Sequence, residues 1–362
     1  MTRITVRTLH STYDVIVERG CLENAAAHVD FVAHGRKLFI VTTEPVWRHQ
    51  GSRLVEGLKG IPFARIEMPD GEEHKRFPTV EALAGRMLEA GADRSSLVLA
   101  FGGGVVNDAG GFLAAIYMRG IDVIQAPTTL LAQVDAAIGG KTGVNLKEGK
   151  NLLGAFHQPK LVLVDPAALD TLPVREFRAG LYEVIKCAVI RSRPLFDLLD
   201  KSRDAVLHRA PEVVDALIEG AVRIKAEVVS ADEREGDLRR ILNFGHTLGH
   251  ALEAETGYRR LLHGEAVAFG MRAATRLAEK AALLAPGDST AIQALVGGYG
   301  PIPSLNGVRA ENLLSRMGSD KKTVGGRAHF VLPDGIGHAQ VVSGLDPELV
   351  RAAAEEALAA TA

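Results

Sequence analysis

The sequence predicts an α/β fold in its first half, built on a parallel sheet and joined to a mainly α-helical second half. Three observations carry that prediction. Short apolar runs at 37–41, 96–101, 123–126 and 161–164 alternate with helical patterns such as 79–90, the mark of strand–helix–strand units. From Pro173 onward the apolar spacing takes the helical period, and helices are expected at 176–190, 212–230, 243–255 and 264–284. Between the two, Pro166-Ala167-Ala168-Leu169-Asp170-Thr171-Leu172-Pro173 interrupts both patterns, which puts one domain at 1–170 and a second at 171–362.

Taken in order, residues 1–17 alternate polar and apolar instead of pairing a charged segment with an apolar one, and no long uncharged run follows. A soluble, unexported chain is expected. Asp70-Gly71-Glu72-Glu73-His74-Lys75 reads as an acidic loop. The run 97–101 leads into Gly102-Gly103-Gly104 and then a helical pattern, so backbone N–H groups at a helix N-terminus would face an anion, as in Rossmann-like dinucleotide sites. As G-x-G-x-x-G, however, the motif has Asn107 in its third glycine place, and alone it fits an ordinary strand-to-helix turn equally well. Pro127-Thr128-Thr129 ends the next strand, and Gly139-Gly140-Lys141-Thr142-Gly143 reads as a second glycine-rich loop. These are either two surface turns or a phosphate-lined cleft, because glycine allows close backbone approach and lysine supplies a compact charge. Asp108, Arg119, Asp135, Lys141, Lys150 and Asn151 crowd the same stretch.

In the second half, His246 and His250 stand four apart, which on a helix puts both imidazoles on one face. Spacing alone would make this pair a metal half-site, and it fits a polar helix stripe as well. Lys186, three residues after Glu183, lies near the same helix face. The segments 329–332 and 339–342 read as a hairpin turning at Pro333-Asp334-Gly335.

Length and composition bound the function. A chain of 362 residues has room for about two domains. A net charge of −2 argues against a nucleic-acid surface. Two cysteines, Cys21 and Cys187, supply neither a disulfide framework nor a thiolate metal site, which points to the cytoplasm and leaves any metal to histidine and carboxylate.

Longer motifs go further. GGGVVNDAGGFLAAIYMRG at 102–120, PTTLLAQVDAAIGGKTGVN at 127–145, EGKNLLGAFHQP at 148–159, GLYEVIK at 180–186, LNFGHTLGH at 242–250, HGEAVAFGM at 263–271 and SDKK at 319–322 closely resemble 3-dehydroquinate synthase, a sugar phosphate cyclase, over nearly the whole chain. The resemblance implies the dehydroquinate synthase-like fold, with an active site in the cleft between the domains and one divalent metal, zinc or cobalt, held by Glu183, His246 and His263. It moves His250 to the substrate pocket, with Asp135, Lys141, Asn151, Lys186, Lys225, Arg239 and Asn243, and with Arg119 from the neighbouring subunit of a homodimer. Lys225 and Arg239 would hold a carboxylate, while Lys141, Asn151, His250 and Arg119 would surround a phosphate. Lys321 or Lys322 would add a phosphate contact.

For NAD, the resemblance implies Asp70 to Lys75, with Glu72 and Lys75 on ribose and phosphate; Gly103, Gly104, Val105 and Asp108, the last near the nicotinamide; Thr128 and Thr129; Lys141 and Lys150; and Ala168, Leu169, Asp170 and Thr171. Two residues depart from the pattern: Thr43, where Asn or Asp is expected, and Asn107, where Gly is usual. The implied reaction takes 3-deoxy-D-arabino-heptulosonate 7-phosphate to 3-dehydroquinate and phosphate by transient oxidation, elimination, re-reduction and aldol closure. The rivals are an aminodehydroquinate synthase, a metal-dependent polyol dehydrogenase and a non-catalytic relative of the same fold. No nucleic acid or membrane partner is expected.

Overall fold

The computed structural model describes residues 1–319 and 329–361. By contacts the chain divides into two compact units, Met1–Pro173 with Lys225–Arg234, and Val174–Ile224 with Glu235–Ala362.

The first unit holds β1 (Thr2–Arg7), β2 (Thr12–Val17), α1 (Ala26–Ala33), β3 (Leu38–Thr42), α2 (Glu44–Gly57), β4 (Phe63–Glu67), α3 (Phe77–Glu89), β5 (Leu97–Gly102), α4 (Gly104–Ile116), β6 (Asp122–Pro127), β7 (Lys141–Leu146), β8 (Gly149–Phe156) and β9 (Leu161–Val164). Seven strands form one sheet in the order β1-β2-β9-β6-β5-β3-β4. Every pairing is parallel except β1 with β2, so the expected α/β unit is present with an antiparallel edge.

Continuous apolar strands are what a sheet covered on both faces requires. Phe39, Val41, Val98, Ala100 and Val123 pack against Val80, Leu83 and Met87 of α3 and Val106, Ala109 and Leu113 of α4. The alternate residues Leu38, Ile40, Leu97, Leu99 and Ile124 point the other way, onto Val29 and Ala33 of α1 and Leu54 of α2. The strand order reverses between β3 and β5, and in such sheets ligands bind outside the carboxyl ends of strands at that point. Thr43 follows β3 there, and Gly102-Gly103-Gly104 ends β5.

One expected loop is a strand. Gly139 and Gly140 do take positive φ, but Lys141-Thr142-Gly143 opens β7, which pairs antiparallel with β8. The two backbones meet at paired glycines: a Cβ on Gly154 would lie 2.2 Å from the Thr142 carbonyl oxygen, and one on Gly143 would lie 2.8 Å from that of Leu153. Glycine serves close strand approach here rather than a turn.

The second unit holds α5 (Val174–Arg191), α6 (Arg193–Lys201), α7 (Arg203–Leu207), most of α8 (Pro211–Ala231), α9 (His246–Glu255), α10 (His263–Lys280), α11 (Pro286–Gly298), α12 (Ala310–Ser319), the hairpin β10 (His329–Gly335) and β11 (His338–Ser343), and α13 (Pro347–Ala359). Mainly helical structure agrees with the sequence. The hairpin turn is displaced from its expected place, because Pro333, Asp334 and Gly335 lie inside β10 and the chain reverses at Ile336-Gly337, where Gly337 has φ 92°. The buried α10 packs against α5, α9, α11 and α13. Among the described residues, no helix is long and apolar enough to cross a membrane.

Candidate functional site

Two groups of residues, one in each unit, are the candidates for the chemistry. In the second unit, Glu183 comes from the middle of α5, His246 and His250 from the first turns of α9, and His263 from the first residue of α10. Glycines let these helices touch backbone to backbone. A Cβ on Gly264 would fall 1.9 Å from the Ala179 carbonyl oxygen, and one on Gly270 would fall 1.8 Å from that of Gly245. No larger residue fits without separating the helices that carry the side chains.

The result is a convergence of donors. One ring nitrogen from each of His246, His250 and His263 lies within 4.8 Å of the others. Glu183 Oε1 stands 3.9 Å from His246 Nε2 and 3.6 Å from His263 Nε2. His246 Nδ1 faces the Phe244 carbonyl oxygen at 3.1 Å, which leaves Nε2 as the nitrogen that could ligate an ion. Lys186 Nζ sits 2.5 Å from Glu183 Oε2, with both side chains only 1% exposed. Burial works against charging His263, yet hydrogen bonds to Glu183 and Glu253 outweigh it and push the imidazole up to about 10. A pocket that draws positive charge so strongly, with nitrogen and oxygen donors only, fits a divalent cation of the zinc class. Spacing selected His246 and His250 and the resemblance selected Glu183, His246 and His263; the fold brings all four together.

Nearby, Arg239 is 1% exposed on a short helical turn, Leu238–Asn243, and Asn243 Nδ2 donates to Glu235 Oε1 at 2.6 Å.

In the first unit, Gly103 is the N-cap of α4 and no side chain caps that helix, so its first-turn N–H groups present themselves to an anion. A Cβ on Gly103 would come within 3.0 Å of Thr129 Cγ2, and Thr128 N donates to Gly102 O, which keeps both threonines against the turn. Thr43 is 1% exposed and its hydroxyl has no hydrogen-bond partner among the described residues. A capless helix end and an orphaned hydroxyl flanking the switch point fit a dinucleotide. Asn107, the other departure, is tied into the turn: its side-chain Nδ2 donates to Ala100 O at 3.1 Å and its backbone carbonyl accepts from Gln125 Nε2.

The segment containing residues 70–75 is no free acidic loop. Lys75 is 4% exposed, pairs with Asp108 and donates to Asn151 Oδ1 at 2.6 Å. Burial pushes the Asp108 carboxyl above its usual range against the opposing pull of Lys75. Asn145, which the sequence reading passed over, donates to Glu72 Oε1 at 2.8 Å and accepts the Asn151 N–H at 2.9 Å. Asp135 pairs with Lys225 at 2.6 Å. Gln50 on α2 donates to Thr171 Oγ1 at 2.7 Å and so fixes the Pro166–Thr171 turn that holds Ala168, Leu169 and Asp170. Lys141 is exposed at the start of β7 and Lys150 half-buried on β8. Arg119 is exposed, with Met118 at φ 47°, Arg119 at 73° and Gly120 at 115°. Lys321 and Lys322 lie outside the described residues.

Residues 65–179 match the family model described as 3-dehydroquinate synthase N-terminal, and residues 180–323 the one described as 3-dehydroquinate synthase C-terminal. The chain belongs to the 3-dehydroquinate synthase family. A 3-dehydroquinate synthase of Solibacter usitatus is 60% identical over 98% of this chain and 99% of its own. That of Koribacter versatilis is 48% identical over 98% of each. Among solved structures, a 2-epi-5-epi-valiolone synthase of Streptomyces hygroscopicus with NAD+ and Zn2+ bound is 31% identical with a TM-score of 0.88, covering 99% of this chain and 100% of its own. Membership of the 3-dehydroquinate synthase family accounts for the presence, in one chain, of both an anion-binding helix end and a histidine–carboxylate cluster. It leaves Glu253 and Asn145, which lie among the site's polar contacts, without a role.

Proposed function

We propose that this chain is a 3-dehydroquinate synthase, an NAD- and metal-dependent lyase that converts 3-deoxy-D-arabino-heptulosonate 7-phosphate to 3-dehydroquinate and phosphate in aromatic amino acid biosynthesis. The observation that carries the reading is 60% identity to a 3-dehydroquinate synthase over 98% of the chain, in a structure whose Glu183, His246 and His263 donors converge. When bound, NAD would supply reversible hydride transfer at carbon 5 and the metal would supply Lewis-acid polarisation of the hydroxyl there.

The chain's residues do the rest. Glu183, His246 and His263 hold the ion, and Lys186 steadies Glu183 through its second oxygen. Lys225 and Arg239 fix the substrate carboxylate, with Asp135 holding the Lys225 ammonium in place. Lys141, Asn151 and His250 surround the phosphate, so the leaving group departs among cations and hydrogen-bond donors. Asp108, paired with Lys75, would serve the nicotinamide end of the dinucleotide.

A homodimer fits the surface. Leu146, Leu152, Leu153 and Phe156 are 37–46% exposed on one β-hairpin, and Arg119 is presented on a turn of consecutive positive-φ residues, a strained conformation that persists at ligand clamps. Arg119 would complete the phosphate site of the second copy. Cys21 and Cys187 are both buried and form no disulfide among the described residues, which suits the cytoplasm.

Purified protein given the heptulosonate phosphate should release phosphate with catalytic NAD and no build-up of free NADH. Steady NADH production from a simple polyol, without phosphate release from the sugar acid phosphate, would overturn the assignment.

A further inference from the structure

We propose that Glu253 is a positioning residue that holds the His263 imidazole in the tautomer and orientation required for metal ligation; this rests on the reading that Glu183, His246 and His263 hold a divalent ion. His263 begins α10, and its side chain is 30% exposed, so packing alone does not fix the ring. Its two nitrogens face two carboxylates. Nε2 looks toward Glu183 Oε1 at 3.6 Å, and Nδ1 toward Glu253 Oε2 at 3.4 Å. Glu253 is 2% exposed, and a carboxylate is buried that deeply only where its environment compensates the charge.

The helix geometry makes this an arrangement rather than a chance contact. Glu253 lies seven residues after His246 on α9, two turns along the same face. One helix therefore supplies two of the clustered histidines and the carboxylate that backs a third on the next helix. The partners of the two proposed ligands also differ in kind. His246 Nδ1 faces a neutral carbonyl, whereas His263 Nδ1 faces an anion. An anionic partner raises ligand basicity as well as fixing the tautomer, so His263 becomes the stronger donor of the two.

The test compares holoenzyme carrying Glu253→Gln, Glu253→Asp or Glu253→Leu with the parent protein. Zinc affinity is read by competition with a chromogenic chelator, the ligand field from the visible spectrum of cobalt-substituted protein, and stability from the melting of chelator-stripped protein. Loss of the carboxylate in Glu253→Gln should weaken zinc binding roughly 10–100-fold and shift the cobalt bands, with little change in melting of the stripped protein. Glu253→Asp should recover part of the affinity. A Glu253→Gln protein with parental zinc affinity and cobalt spectrum overturns the proposal, as does one whose stripped form loses stability while its zinc affinity stays parental. If Glu253→Leu does not fold, the other two variants decide. His263→Ala separates the levels: loss of zinc there with parental binding in Glu253→Gln sinks only the Glu253 role, while retention of zinc in His263→Ala sinks the ligand set beneath it.

Discussion

Glu183 and Lys186 form an ion pair with each side chain 1% exposed, and the desolvation cost of such a pair must be offset by its partner and the groups around it. Replacing Lys186 with Met should therefore destabilise the protein by about 3–5 kcal/mol in chelator-treated urea unfolding. Saturating zinc should recover much of that loss, because the ion supplies the missing positive charge. Equal losses with and without zinc would mean that Glu183 does not sense the metal. Asp165 is a comparable knot within the first unit. It is 1% exposed and accepts the N–H groups of Gly20, Ala167 and Leu22 and a guanidinium N–H of Arg53 at 2.7 Å. Asp165→Ala strands several buried donors at about 1–3 kcal/mol each, and should unfold at clearly lower urea than Asp165→Asn, which keeps an acceptor. At this scale the sequence was legible only in part. Asp165 stands just before the linker read at 166–173, and three of its partners, Gly20, Leu22 and Arg53, stand more than a hundred residues away, a distance no local pattern spans. Glu253 was nearer to hand, since its seven-residue spacing from His246 is readable, but that spacing cannot say which ring nitrogen of a second helix it meets.

Strands and helices with strong patterns were legible at the level of elements. Residues 161–164 were expected as a strand and form β9 over the same span, while 243–255 was expected as one helix and begins as a 3-10 turn broken by Gly245 at φ 80°. β7 and β8 were missed because their glycines signal a turn locally and serve backbone contact only when the partner strand is known. The α5–α10 contact depends on the same device. Gly264→Ala pushes a methyl into the Ala179 carbonyl, and overpacking of this kind costs about 1–3 kcal/mol; melting should drop and zinc affinity fall together, since Glu183 and His263 ride on the separated helices. A Gly264→Ala protein with both values unchanged would show that the helices yield freely. Between α9 and α12, Glu255 takes hydrogen bonds from Arg316 at 2.5 Å and from Asn312 at 2.7 Å. Arg316 and then Asn312 hold its carboxyl below the usual range, so the pair stabilises the fold above the unfolded carboxylate pKa and the contribution vanishes as pH falls through the lowered value. Arg316→Gln should cost a few tenths of a kcal/mol at pH 7, this being a partly exposed pair, and the gap from the parent should close in acid. A gap that widened on acidification would refute the sign.

Across the whole molecule, the division into an α/β unit and a mainly helical unit was readable from the change of period near Pro173, whereas the assignment of 225–234 to the first unit follows from contacts that periodicity does not carry. The proposed homodimer makes a test at the same scale. Arg119→Ala chains mixed with His250→Ala chains, after verified subunit exchange, should regain roughly a quarter of parental activity, because hybrid dimers collect both lesions in one of two sites; no recovery would mean that Arg119 serves its own chain. The sheet order has a further consequence, for the ribosome. β2 is bonded on one side to β1 and on the other to β9, with Val17 beside Val164, so its second edge stays open until roughly 150 more residues have been made. At about 5–20 residues per second that is on the order of 10–30 seconds of translation. Val15, Ile16 and Val17, at most 6% exposed once folded, spend that interval as the unpaired edge of a two-stranded ribbon, which is marginally stable by itself. Nascent chains halted before residue 160 should therefore leave this segment open to proteases and chaperones, and chains long enough to expose β9 beyond the exit tunnel should close it.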